Sequence, residues 1–128
     1  MKTLVLLTMA CFVFLLGCGS NVTKITEKGI FHIKLSSNGE LLKYGRNEVN
    51  VYVTDDKGSG VENAQVEIAP WMPEHGHGTN WPPAITELGK GSYNAVIPLT
   101  MTGHWQLKIN IRKGDIQDST VFEFPAVK

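Results

Sequence analysis

From Phe31 onward the chain alternates apolar and polar residues two by two. Phe31, Ile33 and Leu35 alternate with His32 and Lys34, Val49, Val51 and Val53 alternate with Asn50 and Tyr52, and Val66 and Ile68 flank Glu67. Tyr93, Ala95 and Ile97 form another run, followed by Trp105, Leu107, Ile109 and Ile111, then by Val121, Phe122 and Phe124. This period puts successive side chains on opposite faces of an extended strand, so each run buries one face. Turn chemistry separates the runs at Ser37-Asn38-Gly39, Asp55-Asp56-Lys57-Gly58, Gly89-Lys90-Gly91 and Lys113-Gly114-Asp115. No segment shows the spacing of an amphipathic helix. The pattern predicts an all-β domain, an immunoglobulin-like antiparallel β-sandwich of six to seven short strands.

The first residues follow a different pattern. Met1-Lys2 supplies a positive start, and Leu4 to Leu16 is an almost unbroken apolar run. That run has the length of a secretory signal and falls short of the roughly 18 apolar residues of a membrane span. Leu15-Leu16-Gly17-Cys18 follows at once. An apolar residue three before a cysteine resembles the bacterial lipobox, which implies cleavage after Gly17 and acyl chains on Cys18. The expected organisation is a lipoprotein signal peptide over residues 1–17, a lipidated Cys18 with a polar tether over 18–29, and a sandwich domain over 30–128. The expected location is the cell envelope, with the domain lipid-anchored to a bacterial membrane and facing the periplasm or the exterior.

Composition narrows the chemistry. The two cysteines are Cys11, inside the signal, and Cys18. The mature domain therefore has neither a disulfide nor a thiolate zinc site, redox pair, cysteine nucleophile or blue-copper site. Basic and acidic residues balance at 12 each, and no basic stripe is present to hold phosphates, which argues against nucleic acid as a partner. Membrane contact is expected through the N-terminal lipid alone.

Soft and borderline metal donors gather in two short loops. Residues 70–78 read Pro-Trp-Met-Pro-Glu-His-Gly-His-Gly, and Met101-Thr102-Gly103-His104-Trp105 follows downstream, in a chain with four histidines and four methionines in all. Thioether favours Cu(I) and imidazole suits copper, zinc or nickel, so Met72, His75, His77, Met101 and His104 together point to copper. Cu(I) is favoured, with Cu(II) or zinc as alternatives. In an extended segment His75 and His77 project to one side, and Gly76 lets the backbone bend so that both rings converge. Met101 and His104 stand three apart across a turn, and the two loops are expected to meet at one end of the sandwich. Each donor has a plainer role open to it. Met72 and Met101 can fill gaps in packing, and His104 can be a solvated neighbour of Trp105. Glu74 is either an outer partner of the site or an exposed loop carboxylate, and Trp71, Trp81 and Trp105 are expected to cover the end of the core.

Four phrases carry a family resemblance. Gly-Val-x-x-Ala-x-Val at Gly60 to Val66 follows the strand Val49 to Thr54. Met-Pro-x-His-Gly-His-Gly runs from Met72, Gly-x-Gly-x-Tyr from Gly89 to Tyr93, and Met-x-Gly-x-Trp from Met101 to Trp105. In this order they resemble the YtkA-like domain family over roughly residues 30 to 124. The resemblance implies a small exported or lipid-anchored β-sandwich, similar to FixH-like proteins associated with oxidase and copper-handling systems.

Two functions of different class follow as expectations. The first is a non-enzymatic copper chaperone or copper-handling protein, which passes the ion to a membrane oxidase or copper exporter. The second is a protein-interaction module of the cell envelope, with metal incidental or absent. An enzyme is not expected, because Ser92 and Ser119 lack a placed His/Asp partner and no phosphate-cradling loop occurs.

Overall fold

The computed structural model describes residues 19–128; the signal-peptide and lipidation readings, Cys18 included, lie outside them. Among the described residues nine strands form two antiparallel sheets. Sheet A has the order β1 (Ser20–Ile25), β2 (His32–Ser37), β3 (Gly45–Thr54), β7 (Ser92–Leu99), β6 (Ala84–Gly89). Sheet B has the order β5 (His77–Gly78), β4 (Gln65–Met72), β8 (Gly103–Lys113), β9 (Ile116–Val127). The result is a β-sandwich, as the alternation predicts. Ile33 and Leu35 of β2, Val49, Val51 and Val53 of β3, and Ala95, Ile97 and Leu99 of β7 are buried from sheet A. Val66, Ile68 and Met72 of β4 and Trp105, Leu107, Ile109 and Ile111 of β8 are buried from sheet B. Each set recurs every second residue, so the two inner faces make one core.

The count exceeds the expected six to seven because three strands carry little alternation. In the segment expected as a tether, residues 20–25 form β1, paired with β2 from Ser20↔Ser37 to Ile25↔His32. Its residues are almost all exposed, so backbone pairing and not a buried stripe makes it a strand. β5 has only two residues, and in β6 only Ile85 packs against the core.

Glycine and tyrosine phrases lock one end of the sandwich. Lys90 and Gly91, both at positive φ, form the two-residue loop that joins Gly89 to Ser92, the backbone of a type I′ hairpin turn. Gly91 lies so close to β3 that a Cβ would stand 2.6 Å from the Val53 carbonyl oxygen and 2.7 Å from Gly60 Cα. A Cβ on Gly60 would collide with the Lys90 carbonyl at 2.1 Å. The buried Tyr93 hydroxyl donates to the Val61 carbonyl at 2.8 Å and accepts from Ala64 N–H at 3.1 Å. The phrases at Gly60 to Ala64 and Gly89 to Tyr93 are thus two halves of one interlock.

Asp118 takes an inward position on β9 and is 4 % exposed. Its carboxylate accepts from Lys28 N–H at 2.9 Å, Ile30 N–H at 3.4 Å and Ser119 N–H at 2.9 Å. Burial alone pushes this carboxyl up; the Thr26 hydroxyl and the three N–H groups outweigh burial and hold it below the usual range. A depressed folded pKa contributes stability that is present above the unfolded value and is lost as pH falls through the folded one. Asp118→Asn is expected to cost about 1–3 kcal/mol near neutral pH. In urea denaturation the gap between wild type and this variant should close as pH falls below about 4.

Candidate metal centre

The histidine segment is a tight hairpin loop and not an extended run. Alternation carries Val66, Ile68, Pro70 and Met72 inward along β4. Pro70 is tolerated because its carbonyl faces β5: a Cβ on Gly78 would stand 2.5 Å from it. The proline nitrogen points the same way, so its missing N–H costs no bond to β8. After Met72 the chain turns back within four residues, and Met72 pairs with His77. The Met72 carbonyl accepts from His75 N–H at 3.2 Å and Gly76 N–H at 2.9 Å. Gly76, at φ +68°, supplies the left-handed residue that returns the strand.

This turn keeps the expected convergence by another route. The His75 and His77 rings lie 5.7 Å apart between centroids, tilted by 44°, and both residues are exposed. One ion about 2.0–2.1 Å from a nitrogen of each ring would stand about 3.2 Å from each centroid, so centroids as far as about 6.4 Å apart can share it. His77 Nδ1 lies 3.0 Å from the Gly78 carbonyl. A carbonyl only accepts, so Nδ1 carries the proton and Nε2 of the neutral ring is left to bind. Met72, directly across the hairpin from His77, lies on the same face, and such pairs have Cβ atoms about 4.5–5.5 Å apart. Its side chain is 1 % exposed and belongs to the core.

The second loop meets the first, as expected. A Cβ on Gly103 would stand 3.4 Å from Met72 Cε. Met101 is half-buried against the core, and its carbonyl accepts the Trp105 indole N–H at 2.9 Å. Of the three tryptophans only Trp105 is buried; Trp71 and Trp81 are 45 % and 62 % exposed and do not cover the core. Trp71 projects outward because it holds an odd position in the β4 alternation, between Pro70 and Met72.

His104 stands at a bulge where β8 and β9 shift register between Gly103 and Trp105. Its Nδ1 lies 2.7 Å from Glu74 Oε1 and its Nε2 lies 2.6 Å from Glu123 Oε2. Ionised carboxylates only accept, so in the protonated ring each nitrogen donates to one of them. Glu123 is held in turn by Gln106, whose Nε2 donates to Oε1 at 2.7 Å. The Glu74 bond, followed by that to Glu123, holds the His104 ring above the ordinary histidine range. Its own bond to His104 is the main cause that lowers each carboxyl, Glu74 and Glu123 alike. Among the described residues no three His, Asp or Glu side chains form a metal-holding group. What the hairpin assembles is an imidazole pair with a thioether across from it.

Local sequence does not single out Glu123, yet hairpin arithmetic reaches it. A two-residue loop at Gly114-Asp115 pairs Lys113 with Ile116, and counting outward pairs Gln106 with Glu123. That places Glu123 on the outer face, diagonal to His104.

The YtkA-like family profile matches residues 26–110. The chain belongs to the YtkA-like family. No curated protein and no solved structure matches it in the same comparisons. The match covers β2 to β7, the His75/His77 hairpin and most of β8, and it stops before Glu123. The His104 tie to β9 is therefore made in part by a residue beyond the matched region.

In ring-nitrogen NMR His104 should keep both protons above the ordinary histidine midpoint of about 6.5. Glu74→Gln should move its midpoint down while Asp118→Asn leaves it in place; an unmoved midpoint in the Glu74 variant would show that the two side chains do not pair in solution.

Proposed function

We propose that this protein is an extracytoplasmic copper-binding lipoprotein, a non-enzymatic carrier that holds copper at the hairpin and passes it to a membrane oxidase or copper exporter. The observation that carries the reading is the His75/His77 ring pair, exposed on a four-residue turn with Met72 across from it. Copper is here the cargo. Imidazole and thioether suit Cu(I) better than hard divalent ions, and membership of the YtkA-like family supports the same assignment. The lipobox-like Leu15-Leu16-Gly17-Cys18 supports anchoring to the cell envelope.

The arrangement suits transfer. Exposed imidazoles at a turn leave room for an acceptor's donors to enter, and ligand exchange needs such an edge. Met72 is the less accessible donor, buried across the hairpin from His77, and Met101 is half-buried at the same end. Thioethers bear no titrating proton, so a sulfur contribution persists in mild acid when imidazoles are lost. His104, paired with Glu74 and Glu123, holds the hairpin loop to β9 and lies at the same end as the proposed donors.

Anaerobic titration of the full-length chain in detergent, with Cu(I) in competition with a chelator, tests the reading. Wild type should bind one ion tightly, and the His75→Ala/His77→Ala variant should lose that binding while its β-type circular dichroism persists. Met72→Leu should weaken Cu(I) more than Cu(II), because the softer ion gains more from sulfur. Weak, unsaturable binding by wild type and variant alike would transfer the assignment to a protein-interaction module, which the exposed Trp71 and Trp81 favour.

A further inference from the structure

The strand registers define two ends of the sandwich. Gly45 pairs with Leu99, Gly103 with Val127, and Trp71 with both Gln106 and Gly78. These pairs gather the His75/His77 hairpin, the Met101–Gly103 segment and the C-terminus at one end. The loops at Asp55–Gly60, Lys90–Gly91 and Gly114–Asp115 lie at the other. Strand β1 starts at Ser20 opposite Ser37, the last residue of β2, and β2 runs away from its Thr54 partner toward that same first end. The chain therefore enters the fold at the same end as the hairpin, on the opposite edge of the sandwich, where β1 lies against β9.

The same end carries exposed aromatic side chains. Tyr44 is 59 % exposed just before β3, where its N–H donates to the Lys128 carbonyl at 2.9 Å. Trp71 is 45 % exposed next to the hairpin, and Trp81 is 62 % exposed on the segment leaving β5. The other large exposed apolar residues, Val22, Ile25, Leu88 and Ile116, are aliphatic and lie along β1, late in β6 or at the far turn. Tyrosine and tryptophan have an apolar body and a polar tip, the character that enriches them at the level of lipid headgroups.

We infer that this end of the sandwich faces a phospholipid surface, with Tyr44, Trp71 and Trp81 at headgroup level and the His75/His77 hairpin held against the membrane. Ser20, the first residue of β1, follows Cys18 by two positions in the sequence, so an anchor at that cysteine would leave almost no slack before the fold begins. The apolar run Leu4 to Leu16 precedes it directly. Charge does not select the lipid, since Lys43, Arg46 and Lys128 at this end are offset by Glu40, Glu48, Glu74 and Glu123. Binding should accordingly be insensitive to salt and need no anionic lipid. The inference rests on the anchored half of the reading above and not on copper, and it restricts the acceptor to one whose metal site opens at the membrane surface.

The test uses the full-length chain reconstituted into phosphatidylcholine vesicles that carry a quencher near the headgroup. Tryptophan emission is compared between wild type and Trp71→Phe/Trp81→Phe, which retains only the buried Trp105. Quenching of wild type should exceed that of the variant at least about twofold. Ile116→Trp added to that variant puts an indole at the far end, and it should stay as unquenched as Trp105. Equal quenching in wild type and the double variant, or quenching of the Ile116→Trp indole, overturns the orientation. A wild-type chain that fails to sediment with vesicles overturns anchoring and orientation together, whereas loss of copper binding alone leaves both standing.

Discussion

The indole of Trp105 is fully buried, and its N–H is donated to the Met101 carbonyl. That one side chain fills the core beneath the rim and fixes the segment that leads into β8. Gly103 then lies against Met72, and His104 leaves the sheet at a bulge with both ring nitrogens spoken for. Without a disulfide among the described residues, the position of the rim depends on such packing. Burying an indole with its N–H satisfied avoids the penalty of an unpaired buried donor while adding the largest apolar surface available to a side chain.

The alternation of apolar residues made the central strands legible. Val49, Val51 and Val53, and Trp105, Leu107, Ile109 and Ile111, occupy the inner face where a period of two places them. The same period, continued from Val66 and Ile68 through Pro70, brings Met72 inward, so its burial was readable too. β1 and β6 were not readable in this way, because strands at a sheet edge are held by backbone bonds that leave little trace in side-chain pattern. The convergence of His75 and His77 was foreseen, but from an extended backbone. The actual cause is a turn closed by the Met72 carbonyl.

The four phrases by which the chain resembles the YtkA-like family divide between two tasks. Gly60, Gly91 and Tyr93 close the far end, where their spacing answers to steric fit and to a hydroxyl bridging two strands. Met72, Gly76, Gly103 and Trp105 shape the rim, where glycines admit close approach and the turn. The histidines are supported by this frame and are not part of it. His104 marks the boundary between the two roles, since a side chain with the chemistry of a ligand is used here to fasten one loop to another strand.

Asp118 joins parts of the chain 90 residues apart. Its carboxylate holds the backbone that follows β1, and Glu27 N–H adds a bond to the Ser119 carbonyl. The N-terminal loop consequently has only its own internal bonds between Thr26 and Phe31 until the last strand has been made. Folding cannot proceed from the first residue to the last: the hairpins around β4, β7 and β8 can form from neighbours in sequence, but final closure waits on pairings among the most distant in the domain. Such non-local closure slows folding, because loop entropy is lost before contacts repay it. A chain truncated before Asp118 would thus lack both an edge of sheet B and the latch for its own beginning.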